Sequence, residues 1–134
     1  MNKSVAIKKY MTTAMITLTE DMEVTEASLR LVKHGISGAP VLDRSGKLCG
    51  ILTERDCFKV TLNAGYYSEP GGKVGDYMSR NIETVAPDAS IFELAELFVQ
   101  KKYRRYPVVE NEKLIGMISR RDILKALLQI NQKQ

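Results

Sequence analysis

Apolar residues recur along the chain at helical spacing in two places, and the two places match. Val24, Ala27, Ser28, Leu31 and Val32 stand at i, i+3, i+4, i+7 and i+8, and Ile91, Leu94, Ala95, Phe98 and Val99 repeat the set sixty-seven residues on. Each run predicts one face of an amphipathic helix. The later helix opens with Ser90-Ile91-Phe92-Glu93, a capping box behind the turn-forming Pro87-Asp88; the earlier one has Thr25 or Asp21 as a less distinct cap. After each helix come two short apolar runs separated by a polar turn. These are Ala39-Pro40-Val41-Leu42 with Leu48-Cys49-Gly50-Ile51-Leu52, and Tyr106-Pro107-Val108-Val109 with Leu114-Ile115-Gly116-Met117-Ile118. Both pairs predict a β-hairpin. An extended segment is expected before each first helix, near Met15 to Leu18 and near Ile82 to Val85. A second helix is expected from Thr53 and from Ser119. Its apolar positions are Phe58, Val60 and Leu62 in one copy and Ile123, Leu124, Leu127, Leu128 and Ile130 in the other.

The unit is therefore β-α-β-β-α, written twice, which gives an α+β protein of two repeats packed about a pseudo-twofold axis. The letters repeat with the pattern. Tyr10-Met11-Thr12 returns as Tyr77-Met78-Ser79, Pro40-Val41 as Pro107-Val108, and Gly50-Ile51-Leu52-Thr53-Glu54-Arg55-Asp56 as Gly116-Met117-Ile118-Ser119-Arg120-Arg121-Asp122. One residue is lost between the copies where Asp43-Arg44-Ser45-Gly46 meets Glu110-Asn111-Glu112, and a change of length belongs in a surface turn. Residues 1–64 read as the first repeat with an N-terminal lead-in, 65–76 as a glycine-rich linker and 77–134 as the second repeat. The linker holds Gly71-Gly72-Lys73, but a phosphate-binding P-loop needs a glycine five residues before its Gly-Lys and a Ser or Thr after it, where this chain has Val74.

Composition narrows the class. In 134 residues, 44% hydrophobic and 27% charged, no apolar run approaches the roughly 20 residues of a membrane span. The first eleven residues carry Lys3, Lys8 and Lys9 around only three consecutive apolar positions, too few for a signal-peptide core. A cytoplasmic protein is expected. Cys49 and Cys57, with no second pair and the single His34 far off, make neither a zinc set nor a disulfide framework, and read as buried thiols. His34 reads as a residue of the helix C-terminus, not a ligand. No metal site and no catalytic residue is expected, because no Ser-His-acid or Cys-His pairing has a partner to complete it.

The net charge of +4 is spread evenly, with nine basic and seven acidic groups in residues 1–67 and eleven and nine in the rest. Lys101, Lys102, Arg104 and Arg105 nevertheless crowd together. A cluster of that size suits a phosphate group better than a nucleic-acid duplex. The other repeated feature is Thr53-Glu54-Arg55-Asp56 and Ser119-Arg120-Arg121-Asp122, each directly after a strand and opening a helix. Thr or Ser as N-cap with Asp in the first turn explains the pattern by helix capping alone. A carboxylate at a helix start is also well placed to accept both hydroxyls of a ribose, with helix amides beside it for a phosphate.

Taken together, Tyr-Met-Thr/Ser at each start, x-Pro-Val on the second strand and Gly-x-hydrophobic-Thr/Ser-x-x-Asp at each end resemble the CBS (cystathionine β-synthase) domain family in its tandem form, the Bateman module. The resemblance covers about residues 5 to 130. It implies a module that needs no cofactor but takes an adenosine-bearing regulatory ligand, AMP, ADP, ATP or S-adenosylmethionine, in clefts between the repeats. By the same resemblance Asp56 and Asp122 would hold the ribose with Thr53 and Ser119 as partners. Thr17, Thr84, Ala39, Ile51, Tyr106 and Met117 would line base pockets, and Arg104 and Arg105 would face phosphate. The clefts are expected to be unequal, since Ser37-Gly38-Ala39 offers room where Arg104-Arg105-Tyr106 offers charge and a ring. The resemblance further implies a homodimer through helical faces and an effector protein that reads the bound state. Two other readings compete with this non-enzymatic sensor: a structural or dimerisation module with empty or degenerate clefts, marked by exposed Leu124, Leu127 and Leu128, and a nucleic-acid-binding protein, which lacks a recognition helix or stacking surface.

Overall fold

A computed structural model describes residues 5–67 and 72–132. After a 3-10 turn at Ile7–Lys9 come β1 (Leu18–Thr19), α1 (Val24–His34), β2 (Gly38–Leu42), β3 (Leu48–Thr53), α2 (Glu54–Tyr67), α3 (Val74–Tyr77), α4 (Ile91–Gln100), β4 (Arg105–Glu110), β5 (Lys113–Ser119) and α5 (Arg120–Gln132). The predicted hairpins form in register, with Pro40 opposite Ile51 and Pro107 opposite Met117. The one-residue difference between copies falls in the hairpin turns. In the first, Asp43 Oδ1 accepts from the Ser45 N–H (2.9 Å), the Ser45 hydroxyl (2.6 Å) and the Lys47 N–H (3.0 Å), and these bonds hold its carboxyl below the usual carboxylate range. In the second, Asn111 and Glu112 close a tighter turn at φ of 51° and 66°, in the left-handed region that two-residue hairpin loops demand.

The full β-α-β-β-α order appears only in the first copy, where β1 pairs parallel to β2 with Leu18 beside Val41. The matching stretch of the second copy is reduced to one parallel bridge: the Val85 N–H donates to the Pro107 carbonyl (3.0 Å) and the Val109 N–H to the Val85 carbonyl (2.9 Å).

The chain divides into two compact units that do not follow the order of the copies. One is Ile16–Ile82, and the other joins the N-terminal stretch up to Met15 with everything from Glu83 onward. The lead-in of each copy therefore belongs to the other copy's core. Ile7 N–H donates to the Ala89 carbonyl (2.9 Å) and Thr12 exchanges two bonds with Met117 (2.8 and 2.9 Å). In the other unit Val74 N–H donates to the Met22 carbonyl (2.8 Å) and Ser79 exchanges two bonds with Ile51 (2.9 and 3.0 Å). These are equivalent positions of the repeat, so the exchange is symmetrical. Of the stretch read as a linker, α2 runs through Gly65 to Tyr67, since one helical glycine costs only about 1 kcal/mol relative to alanine. Residues 68–71 lie outside the described ones, and Lys73 already pairs with Glu23 before α3 begins.

The exchange also corrects the expected cap of α1. Neither Thr25 nor Asp21 caps it; Glu23 stands at the N-cap without a side-chain bond, and the Val24 N–H donates to the Gly72 carbonyl (2.9 Å) while Asp21 pairs with Arg44 (3.0 Å). In α4 the expected Ser90 does cap, accepting from the Phe92 N–H (3.1 Å), and the Ile91 N–H reaches the Val5 carbonyl (3.0 Å).

Each unit has its own core. Val24, Ala27 and Leu31 of α1 meet Leu18, Ala39, Val41 and Leu52, with Cys57 and Val60 from α2 and Val74 and Met78 from the lead-in. Ile91, Leu94 and Phe98 of α4 meet Ile7, Tyr106, Val108, Ile118, Ile123 and Ala126. The volumes trade places. Where the first copy is small at Ala27, Leu31 and Ala39, the second has Leu94, Phe98 and Tyr106; where the second has Ala126, the first has Val60. Six residues expected in the apolar faces are exposed, Val32 and Val99 at the ends of their helices, Phe58 and Leu62 in α2, and Leu124 and Leu128 in α5. At 100° per residue the eighth position lies 80° away from the first, so Val32 and Val99 turn past the core edge. In α2 the same rotation brings Cys57 and Val60 inward. Burial raises both thiols above their ordinary pKa, but only Cys57 is buried as expected; Cys49 is half-buried against the edge of the core.

Candidate functional site

Strand alternation sorts the candidate residues into two groups. Along β3, Gly50 and Leu52 turn to the core, leaving Ile51 and Thr53 half-buried on the opposite sheet face; along β5, Gly116 and Ile118 turn inward and Met117 and Ser119 away. Arg105, opposite Ser119, is half-buried on that same outer face, and half-buried Thr17 and exposed Thr84, each one residue before the residue that pairs with the second strand, lie outside the core. Ala39 and Tyr106 do not. Both side chains are in the core, so neither can line an outer pocket except through its backbone. Tyr106 packs its ring against Phe98 (centroids 5.1 Å) and Tyr103 (5.6 Å), and its hydroxyl is buried with no hydrogen-bond partner among the described residues. Burial, with Glu83 nearby, raises its pKa.

At the edge of each outer face, strand becomes helix at the Thr/Ser-x-x-Asp motif. Asp56 Oδ2 accepts from the Thr53 N–H (2.9 Å) and the Thr53 hydroxyl (3.0 Å), and the Asp56 N–H donates back to Thr53 Oγ1 (3.4 Å). Asp122 Oδ2 accepts from the Ser119 N–H (2.9 Å), and the Asp122 N–H donates to Ser119 Oγ (3.1 Å). Both junctions are reciprocal caps, so the capping account of the motif holds in full. Only one oxygen of each carboxylate is used. Oδ1 of Asp56 and of Asp122 makes no hydrogen bond to the described residues, and both side chains are half-buried at the rim of the sheet face that also carries Ile51 or Met117.

The junctions differ in charge. In the second copy the Arg120 N–H donates to the Arg104 carbonyl (3.0 Å), so two exposed arginines stand at one strand-helix corner, with Arg105 beside Ser119. In the first copy the equivalent bond runs from the Glu54 N–H to the Ser37 carbonyl (2.9 Å), a carboxylate and a neutral residue at the same corner. The sequence pattern had set Arg104 against Ser37 but had not paired either with the first residue of the following helix. The hydrogen bond that does so closes a corner sixteen residues around the hairpin, and no local period signals it. Lys101, read with this cluster, is held by Glu83 instead (3.3 Å). No group of three or more metal-binding side chains occurs among the described residues.

The described residues thus form a duplicated α+β unit with a half-used carboxylate at the start of each second helix. The chain belongs to the CBS domain family, whose model matches it twice, over residues 7–63 and 74–129. Among solved structures it is similar to CBSX2 in complex with AMP, at 28% identity and a TM-score of 0.83 over 94% of this chain and 98% of that one. CBSX2 from Arabidopsis thaliana gives 26% identity and the same TM-score over 96% and 98%. Among curated proteins it is 32% identical, over 90% of its length, to A-adding tRNA nucleotidyltransferase of Aquifex aeolicus, and 36% identical over 83% to inosine-5'-monophosphate dehydrogenase of Methanocaldococcus jannaschii. It spans only 14% and 21% of those two proteins. Among the described residues, no helix is long and apolar enough to cross a membrane.

Proposed function

We propose that the chain is a regulatory module that binds an adenosine phosphate on the outer sheet face of its second copy. The observation that carries this reading is the junction at Ser119–Asp122. There the spare Oδ1 of Asp122, the start of α5, and Arg104 and Arg120 bring an acceptor for ribose hydroxyls and cationic donors for phosphate to one corner. Glu54 at the equivalent corner of the first copy opposes a phosphate, which favours a neutral or cationic adenosine ligand such as S-adenosylmethionine there. The AMP complex of CBSX2 supports the ligand class. An effector protein reads the occupied state by its differential affinity for it. The exposed apolar rows of the helices support a homodimer.

Calorimetric titration with AMP, ADP, ATP, adenosine and S-adenosylmethionine tests the reading. Asparagine keeps an oxygen that can accept from the Ser119 N–H in the reciprocal cap, so Asp122→Asn is expected to keep the fold and to lower stability by no more than about 1 kcal/mol, the scale of one carboxylate at a helix start. It has one acceptor oxygen to serve both the cap and a ribose, and AMP affinity should fall by about tenfold or more, on the order of one charge-assisted hydrogen bond. Arg104→Ala should weaken AMP and leave adenosine unchanged. Should AMP, ADP and ATP at millimolar concentration leave the melting temperature where it was, the adenosine-phosphate reading fails.

A further inference from the structure

Resting on the phosphate reading of the corner at Arg104 and Arg120, we infer that the effector docks at that same corner, through an acidic segment that the nucleotide's phosphate displaces. Charge is even along the sequence, but the exchange of lead-ins redistributes it. With Lys8 and Lys9 joined to the second copy, the unit built from residues up to Met15 and from Glu83 onward holds twelve basic and seven acidic residues, and the unit Ile16–Ile82 holds eight and nine. The first is cationic by five charges and the second anionic by one. A partner rich in carboxylates is drawn to the first unit alone.

Within that unit the unpaired cations gather at the candidate site. Lys102, Tyr103 and Arg104 are all exposed, and the Arg120 N–H ties the start of α5 to the Arg104 carbonyl (3.0 Å). Lys102, Arg104 and Arg120 have no ion-pair partner among the described residues, whereas Lys101 is held by Glu83 (3.3 Å). Like charges held together repel until an anion joins them. The first copy has Gly35, Ile36, Ser37 and Glu54 at the four equivalent positions, so the patch occurs once.

Its make-up favours a protein partner. The arginine fork matches a carboxylate bidentately, and arginine and tyrosine are the residues enriched where proteins meet. Tyr103 is 38% exposed, and its ring stands edge-on against the core ring of Tyr106 (centroids 5.6 Å). A ring already held in place loses less freedom when a partner covers it. Single-stranded nucleic acid instead takes a charged groove with successive rings for its bases, and here one exposed ring stands with three cations. Phosphate and carboxylate compete for the two arginines, while Tyr103 serves the effector only. The empty module therefore holds the effector, and an adenosine phosphate releases it.

Fluorescence anisotropy with a short labelled peptide of alternating glutamate and leucine tests the competition on the full chain, with circular dichroism and melting temperature as controls. The peptide should bind, weaken with salt, and leave at the AMP concentrations that saturate the module in calorimetry, while adenosine does not displace it. Arg104→Ala and Arg120→Ala should each weaken the peptide by about three- to tenfold, the scale of an ion pair partly shielded at an interface. Tyr103→Ala should weaken the peptide yet leave AMP affinity within about twofold of the wild type. Lys33→Ala with Lys59→Ala, in the other unit, should change neither. No peptide binding at low salt overturns the inference, as does peptide that stays bound when AMP saturates. An equal loss in the Lys33→Ala, Lys59→Ala chain overturns it too, by reducing the effect to net charge. Tighter binding of a single-stranded oligonucleotide of equal charge replaces the protein partner with a nucleic acid. AMP that does not bind at all removes the proposed function instead, a result distinct from peptide that binds and ignores Arg104→Ala and Tyr103→Ala, which removes the docking surface.

Discussion

Tyr106 and Asp122 show how far single side chains can depart from the roles their positions invite. Tyr106 sits where the first copy has Ala39, and its ring fills the space beside Phe98, leaving its hydroxyl in the core without a partner among the described residues. A buried hydroxyl with no hydrogen bond forfeits about 1–3 kcal/mol of solvation. Tyr106→Phe keeps the ring and removes that cost, so it is expected to raise the midpoint of denaturant unfolding, by about 1 kcal/mol, with an unchanged slope. A fall in stability would show that the hydroxyl has a partner, such as a bound water. Asp122 was legible in the sequence as part of a cap, and its proposed role as a ribose acceptor is a separate reading. The geometry explains why the two readings coexist: a carboxylate has two oxygens, and the cap uses Oδ2 alone.

At the scale of elements, two glycines hold the exchanged lead-ins against their host strands. A Cβ on Gly116 would lie 2.8 Å from Met11 Sδ and 2.9 Å from the Thr12 carbonyl, and one on Gly50 would collide with the Met78 thioether and lie 3.0 Å from the Ser79 carbonyl. The methionine can swing aside, but the Thr12 carbonyl is tied to the Met117 N–H. Gly116→Ala is therefore expected to push the lead-in off β5 and to destabilise the protein by about 1–3 kcal/mol, measured by thermal or denaturant unfolding, as overpacking does elsewhere. Helix and hairpin were legible because their signals are local: Val24, Ala27 and Leu31 show their period within eight residues, and Pro40 and Pro107 mark the strands that follow. The pairing of Thr12 with Met117 was not, since no periodicity connects residues so far apart in sequence. Phe58 and Leu62 mislead for a related reason. Period alone finds an apolar face but does not say whether core or partner covers it, and here Cys57 and Val60 take the core side.

For the molecule as a whole, the compact units are stitched from both copies, and stability must follow the stitching. Removing residues 5–12 leaves the first copy's letters incomplete but strips the second copy's unit of Ile7, fully buried in its core, and of the bonds to Ala89, Ile91 and Met117. Hydrogen exchange on such a truncated chain should quicken at Ile91, Met117 and the helices beside them, while amides of Ala27, Leu31 and Leu52 keep their protection. Acceleration in the first copy instead would show that sequence order, not the contact pattern, governs the cooperative units. The exchange has a further consequence for how the chain is made. Synthesis delivers residues from 16 to 82 as one continuous piece, so that unit has all its parts before the rest of the second copy has emerged. The lead-in at Ile7 and Thr12 must wait until Ala89, Ile91 and Met117 have followed, with its apolar side exposed meanwhile. A segment translated ahead of residues 16–82 thus finds its place after them.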